Sequence, residues 1–225
     1  SQAPWNHDHH LLMVGLKAEE VVFEDTDGMN LVFLIDVSGS MGSSDKLPLL
    51  VRAFELLVDN LRPKDRISIV VYAGAAGVVL EGGDSSNKKE IYDALDDLEA
   101  GGSTAGGEGI ELAYKVAERN FIEGGNNRII IATDGDFNVG ISDVGQLEDF
   151  ISEKRDSGVF LSVLGFGTGN LRDDVLESLA DHGNGVYFYI DSYKEAEKVF
   201  LNELGASMVT VAKDVKLQIE FNPHH

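Results

Sequence analysis

The sequence predicts an α/β fold: a doubly wound, Rossmann-like, mainly parallel six-stranded sheet with one antiparallel strand and helices on both faces. Three observations carry this. Short apolar runs alternate with segments of helical periodicity over most of the chain, the pattern of successive βαβ units. The first run, Leu31 to Asp36, is apolar almost throughout, as a strand buried on both faces must be. The link between the second and third runs is a short Gly-Ala stretch that cannot hold a crossover helix, so those two strands must be antiparallel neighbours.

The elements follow in order. Lys46 to Leu61 has apolar residues at helical spacing, and Pro48 falls in the first turn, where it is tolerated. Arg66 to Ala73 and Gly77 to Glu81 read as strands, then Asn87 to Leu98 and Thr104 to Ile122 as helices. Arg128 to Asp134 is a strand, Val144 to Asp156 a helix, Val159 to Phe166 a strand and Leu171 to His182 a helix. Gly185 to Ile190 is the last strand of the series and Tyr193 to Leu204 the last helix. Right-handed crossovers then select the strand order 3-2-1-4-5-6, with the third strand reversed. Leu11 to Lys17 and Val211 to Phe221 also read as strands but stand outside the series. The expected division is therefore an α/β domain over residues 29–205, with residues 1–28 and 206–225 as stubs of a flanking β-rich module.

The 225 residues are 43% hydrophobic, enough for a sizeable core, and carry a formal net charge of −21. That charge argues against binding a nucleic-acid backbone or an anionic membrane surface, and suits cations. The absence of cysteine excludes disulfides, thiolate nucleophiles and zinc–thiolate sites. No stretch approaches the ~20 apolar residues of a membrane span, so no direct membrane insertion is expected of this fragment. No signal peptide is visible. Ser1 in place of Met and the ending Asn222-Pro223-His224-His225 read as a piece cut from a longer protein, with any targeting segment outside it.

The chemistry concentrates in "DVSGSMGSS", Asp36 to Ser44, directly after the first strand. Alone it is a turn with capping hydroxyls. In the predicted strand order, however, the first and fourth strands are neighbours at the switch point, where ligands bind beyond the carboxyl ends. Asp36 ends the first strand, Asp134 ends the fourth, and Thr104 lies in a glycine-rich loop returning to the same edge. Asp36, Ser38, Ser40, Thr104 and Asp134 are thus expected to converge. All are hard oxygen donors, which favours Mg²⁺, with Mn²⁺ or Ca²⁺ as alternatives, over zinc. Two carboxylates and three hydroxyls leave a divalent ion able to accept a carboxylate from outside.

These residues resemble the von Willebrand factor type A (VWA) domain family. The match lies in "DVSGS", "GGST" and "TDGD", in that order and on the expected strands, over about residues 29 to 205. The resemblance implies a complete metal-ion-dependent adhesion site at Asp36, Ser38, Ser40, Thr104 and Asp134. It implies a binding module, not an enzyme, whose cation takes an Asp or Glu from a partner protein. It also implies a last helix, Tyr193 to Leu204, able to slide when the site is filled. "APWN", "IATDGDFNVG" and "VAKDVKLQIEFNP" resemble a narrower bacterial VWA-containing family of envelope-associated or secreted proteins. From this an extracytoplasmic location is expected.

The alternatives are a Mg²⁺-dependent phosphohydrolase or phosphotransferase of related topology, and a scaffold with a vestigial site. For the first, Asp36 could be the nucleophile, but Ser38 stands where a second carboxylate is wanted and no basic residue is evident near the loops. There is no Gly-x-Ser-x-Gly elbow, and no histidine is placed to serve Ser38 or Ser40. Asp136 and Asn138 read as loop-shaping residues, "GFGTG" (Gly165 to Gly169) and "EDTDG" (Glu24 to Gly28) as turns, and "HDHH" (His7 to His10) receives no role.

Overall fold

The computed structural model describes residues 2–16, 26–102, 106–135, 144–167, 172–203 and 215–221. The chain divides into two compact units, Ser1–Asp25 with Thr210–His225 in one and Thr26–Val209 in the other.

In the first unit β1 (Gln2–Ala3) and β2 (Asn6–His10) pair antiparallel, with Gln2 opposite His10 and Ala3 opposite Asn6. This corrects the expected terminal strands, because residues 11–16 and 215–221 carry no strand. Lys17 and residues 211–214 lie outside the described residues. Alternating Val215, Leu217, Ile219 and Phe221 have the period of a strand. A period becomes a strand only where a neighbour takes up the N–H and C=O groups.

In the larger unit the order is β3 (Met29–Asp36), α1 (Leu47–Asp59), β4 (Arg66–Tyr72), β5 (Ala76–Asp84), α2 (Lys88–Asp96) and α3 (Gly106–Arg119). It continues with β6 (Asn126–Thr133), α4 (Val144–Asp156), β7 (Val159–Phe166), α5 (Asp173–His182), β8 (Tyr187–Ile190) and α6 (Tyr193–Lys198). The six-stranded sheet runs β5-β4-β3-β6-β7-β8, parallel throughout except for the β4–β5 pair. Strand order and the reversed strand are as the sequence predicts. β5 extends past the expected Glu81, with register shifts against β4 between Ile67 and Val70. The last helix is not uniform: α6 passes into a π-helical turn at Val199–Glu203, and Leu204 lies outside the described residues.

Every residue of β3 is buried, because β3 sits mid-sheet with helices over both faces. Side chains alternate between those faces. Val32, Leu34, Ile129 and Ile131 join the core formed with α3, α4 and α5. Phe33 points the other way and stacks on Phe54 of α1 at 4.1 Å. Phe54 in turn meets the edge of Phe200 at 5.3 Å, tying the π-helical turn to α1.

Behind β7 the chain passes so close that only glycine fits. A Cβ on Gly185 would stand 1.9 Å from the carbonyl oxygen of Leu161. Backbone cannot yield as a side chain does, so Gly185→Ala is expected to destabilise by about 1–3 kcal/mol, the usual range for overpacking. Urea melts of the variant check this. An unchanged midpoint would show that the close approach is not maintained in solution.

Candidate metal centre

The pairing of β3 with β6 brings two strand ends together. Ile35 stands opposite Ala132, so Asp36 and Thr133 are the next residues out on adjacent strands. The Thr133 hydroxyl donates to Asp36 Oδ2 at 3.3 Å, and the Ser38 amide donates to Asp36 Oδ1 at 2.8 Å. Beyond Asp36 the chain tightens into a 3₁₀ turn, Gly39–Gly42, pinned by Met41, which is completely buried. The turn sets Ser38 Oγ and Ser40 Oγ 3.0 Å apart. Ser38 is buried and Ser40 is exposed.

The loop that leads to Thr104 is fastened to the same turn. Gly101 donates its amide to Val37 O at 2.7 Å, and Gly39 donates to Gly102 O at 3.3 Å. Thr104 itself lies outside the described residues, as do Asp136 and Asn138. Four of the five predicted residues, Asp36, Ser38, Ser40 and Asp134, are therefore described here at the carboxyl end of the central strands. Asp134 follows β6 directly and is mostly buried.

Two buried carboxylates at one strand edge are costly without a cation. Burial pushes the Asp36 carboxyl above its ordinary value, and repulsion from Asp134 adds to it, against the lowering effect of the hydrogen bonds from Ser38 and Thr133. Burial raises Tyr72 well above its usual range, with the charge of Asp36 contributing.

Sequence reasoning missed Lys46. Its ammonium donates to Asp134 Oδ2 at 2.8 Å and to the Ser40 carbonyl at 3.0 Å. The expectation that no basic residue lies near the loops is thus corrected: the 3₁₀ turn folds the chain back, so Lys46, just before α1, returns to the site. Both oxygens of Asp36, itself completely buried, accept hydrogen bonds.

The donor set fits a hard divalent ion. Among the described residues no group of three or more His, Asp or Glu could hold a metal. Any ion would rest on two carboxylates completed by hydroxyls, a set suited to an oxygen-seeking ion. Asp134 is paired in this structure with the ammonium of Lys46.

The sequence pattern of the von Willebrand factor type A domain matches residues 30–202. The chain belongs to that family. VWA domains commonly mediate metal-dependent protein interactions and are typically adhesion or scaffold modules. Among curated relatives, uncharacterized protein YfbK of Escherichia coli (strain K12) is 50% identical over 221 residues, which cover 98% of this chain and 38% of that protein. Uncharacterized protein sll0103 of Synechocystis is 32% identical, over 76% of this chain and 40% of its own length. The VWA chain thus spans about two fifths of these relatives. Among solved structures, an aerotolerance-related membrane protein from Bacteroides fragilis superposes with a TM-score of 0.64 at 23% identity, over 79% of this chain and 99% of the other. Proximal thread matrix protein 1 from the mussel byssus, with a zinc-occupied MIDAS motif, superposes with a TM-score of 0.67 at 23% identity. It covers 81% of this VWA chain and 46% of its own. These likenesses establish the fold. No helix among the described residues is long and apolar enough to cross a membrane.

Proposed function

We propose that this VWA domain is a metal-dependent protein-binding module. Asp36, Ser38, Ser40, Thr104 and Asp134 would hold the cation, Mg²⁺ or else Mn²⁺ or Ca²⁺. The bound ion supplies a Lewis-acidic position for an Asp or Glu of a partner protein. The observation that carries this reading is the convergence of Asp36 and Asp134 on adjacent strand ends beside the paired Ser38 and Ser40 hydroxyls, 3.0 Å apart. The chain's own residues shape the site. The Thr133 hydroxyl and the Ser38 amide orient Asp36, and backbone contacts fasten Gly101 to Val37 and Gly102 to Gly39. The buried strand ends exclude water from one side and leave Ser40 facing outward.

The terminal segments are proposed to belong to a flanking module of a longer, extracytoplasmic protein. Support comes from the resemblance of the end motifs to envelope-associated proteins and from a relative that matches nearly the whole chain yet is much longer.

Selection of a peptide library on immobilised protein in Mg²⁺, with elution by EDTA, tests the partner chemistry. The expected peptides share an Asp or Glu whose change to Asn or Gln abolishes retention. Recovery of only EDTA-insensitive peptides, or of peptides indifferent to that change, contradicts the reading.

A further inference from the structure

We infer that Lys46 is a tethered cation that competes with the divalent ion for Asp134 and thereby sets how readily the site fills. The inference rests on the metal reading above and names a residue that acts upon it. Three observations support it.

The first is position. The ammonium lies 2.8 Å from Asp134 Oδ2 and 3.0 Å from the carbonyl of Ser40, so it touches one predicted ligand and the backbone of another. A divalent ion on the same carboxylate oxygen would stand within a few ångströms of Nζ, and like charges at that distance repel strongly in a partly buried site. Full engagement of the metal by Asp134 therefore favours withdrawal of the lysine.

The second is that the bound position is built. Gly167, at the end of β7, has φ +90°, and a Cβ there would lie 2.7 Å from Lys46 Cε and 3.0 Å from Cγ. The missing side chain leaves a slot along which the lysine stem lies, so the ammonium is guided to Asp134 from across the sheet edge.

The third is that the lysine has somewhere to go. Its side chain is 22% exposed whereas that of Asp134 is 3% exposed. Four methylenes let the head swing to water while the carboxylate stays fixed. The two occupants of Asp134 thus differ in mobility, and each weakens the other's hold by the same factor. The cost of displacing the lysine raises the metal concentration at which the site fills.

Mn²⁺ binding to the EDTA-stripped whole chain, followed by electron paramagnetic resonance, tests this with Lys46→Met, which keeps the stem and removes the charge. Lys115→Met, which breaks an exposed pair with Glu111, controls for net charge. Lys46→Met is expected to bind Mn²⁺ at least about tenfold more tightly than the wild type, and Lys115→Met nearly unchanged. In EDTA the Lys46→Met protein should melt below the wild type, and saturating Mn²⁺ should reduce or reverse that difference. Lys46→Arg, which keeps the charge, should bind Mn²⁺ no more tightly than the wild type. If the wild type binds Mn²⁺ and Lys46→Met binds equally or less tightly, the competition is refuted while the metal reading stands. If neither protein binds Mn²⁺, the metal reading fails and takes this inference with it.

Discussion

Asp65→Ala should cost about 3–5 kcal/mol of stability, the range for breaking a buried ion pair by removing one partner. For a domain of this size that lowers the melting temperature by roughly 6–20 °C. The Asp65 side chain is fully buried and receives donors on both oxygens. The Met29 amide donates to Oδ1 at 2.9 Å and Arg62 Nη2 to Oδ1 at 2.7 Å. The Arg62 amide and Nε donate to Oδ2 at 2.8 and 3.1 Å. The same guanidinium donates to the Thr26 hydroxyl at 2.9 Å and to the Asp27 carbonyl at 3.0 Å. This clamp fixes the chain where it enters β3, whose far end carries Asp36. Alanine would leave a largely buried guanidinium without its counter-charge and the first amide of the central strand without its acceptor. Replacing Arg62 and Asp65 together by apolar residues should cost less than the sum of the two single changes, because no orphaned charge remains. A loss below about 1 kcal/mol for Asp65→Ala, as for an exposed pair, would falsify the view that the clamp organises the strand.

Most of the α/β architecture was legible because the core strands obey one physical constraint. β3, β6 and β7 lie between two helical layers, so they read as unbroken apolar runs, and "LVFLI" could not be a half-exposed strand. The short link before β5 fixed its direction for the same kind of reason: chain length forbids a crossover. The ends misled because Leu11 to Leu16 and Val215 to Phe221 have strand-like composition, but composition does not supply a pairing partner. The last helix misled at Val199, since a shift from α to π geometry leaves the apolar stripe of Ala196, Val199 and Phe200 intact, and all three are buried.

The site divides along the same line. Asp36 and Asp134 were readable because strand order alone brings the ends of β3 and β6 together, and Ser38 and Ser40 because they alternate just beyond. Lys46 was not, because its place depends on the radius of a single 3₁₀ turn and on a slot left by Gly167, more than a hundred residues away. One available signal was its rarity: 18 basic residues stand against 39 acidic ones, so a lysine ten positions after a predicted ligand aspartate was a candidate partner. Thr133 escaped notice because "IATDG" presents it as one more strand residue, and only the register opposite Asp36 gives its hydroxyl a task.

Asp36→Asn should separate stability from metal binding, with opposite signs in EDTA and in Mg²⁺. Burial, followed in effect by the charge of Asp134, raises the Asp36 carboxyl above 3.8 in the folded protein. A carboxyl so raised holds its proton more tightly folded than unfolded, so ionising it weakens the metal-free fold. That penalty is absent below the unfolded value, grows as pH rises from 3.8 through the raised folded value, and is fully present above it. Asparagine carries no charge to bury. Its carbonyl can accept from the Ser38 amide and its amide group can donate to the Thr133 hydroxyl, so the geometry is retained. The EDTA-stripped variant should therefore melt above the stripped wild type at pH 7, and the gap should close as the pH is lowered toward 3.8. Metal reverses the order. Mg²⁺ at a hundred times its dissociation constant should stabilise the wild type by about 2.7 kcal/mol, which corresponds to roughly 5–10 °C. The variant, short of one of two carboxylates, should gain little or nothing. Calorimetric scans of both proteins in EDTA and in Mg²⁺ give the four midpoints. A variant that melts below the stripped wild type at pH 7 refutes the burial penalty, and one that keeps the full gain in Mg²⁺ removes Asp36 from the metal site.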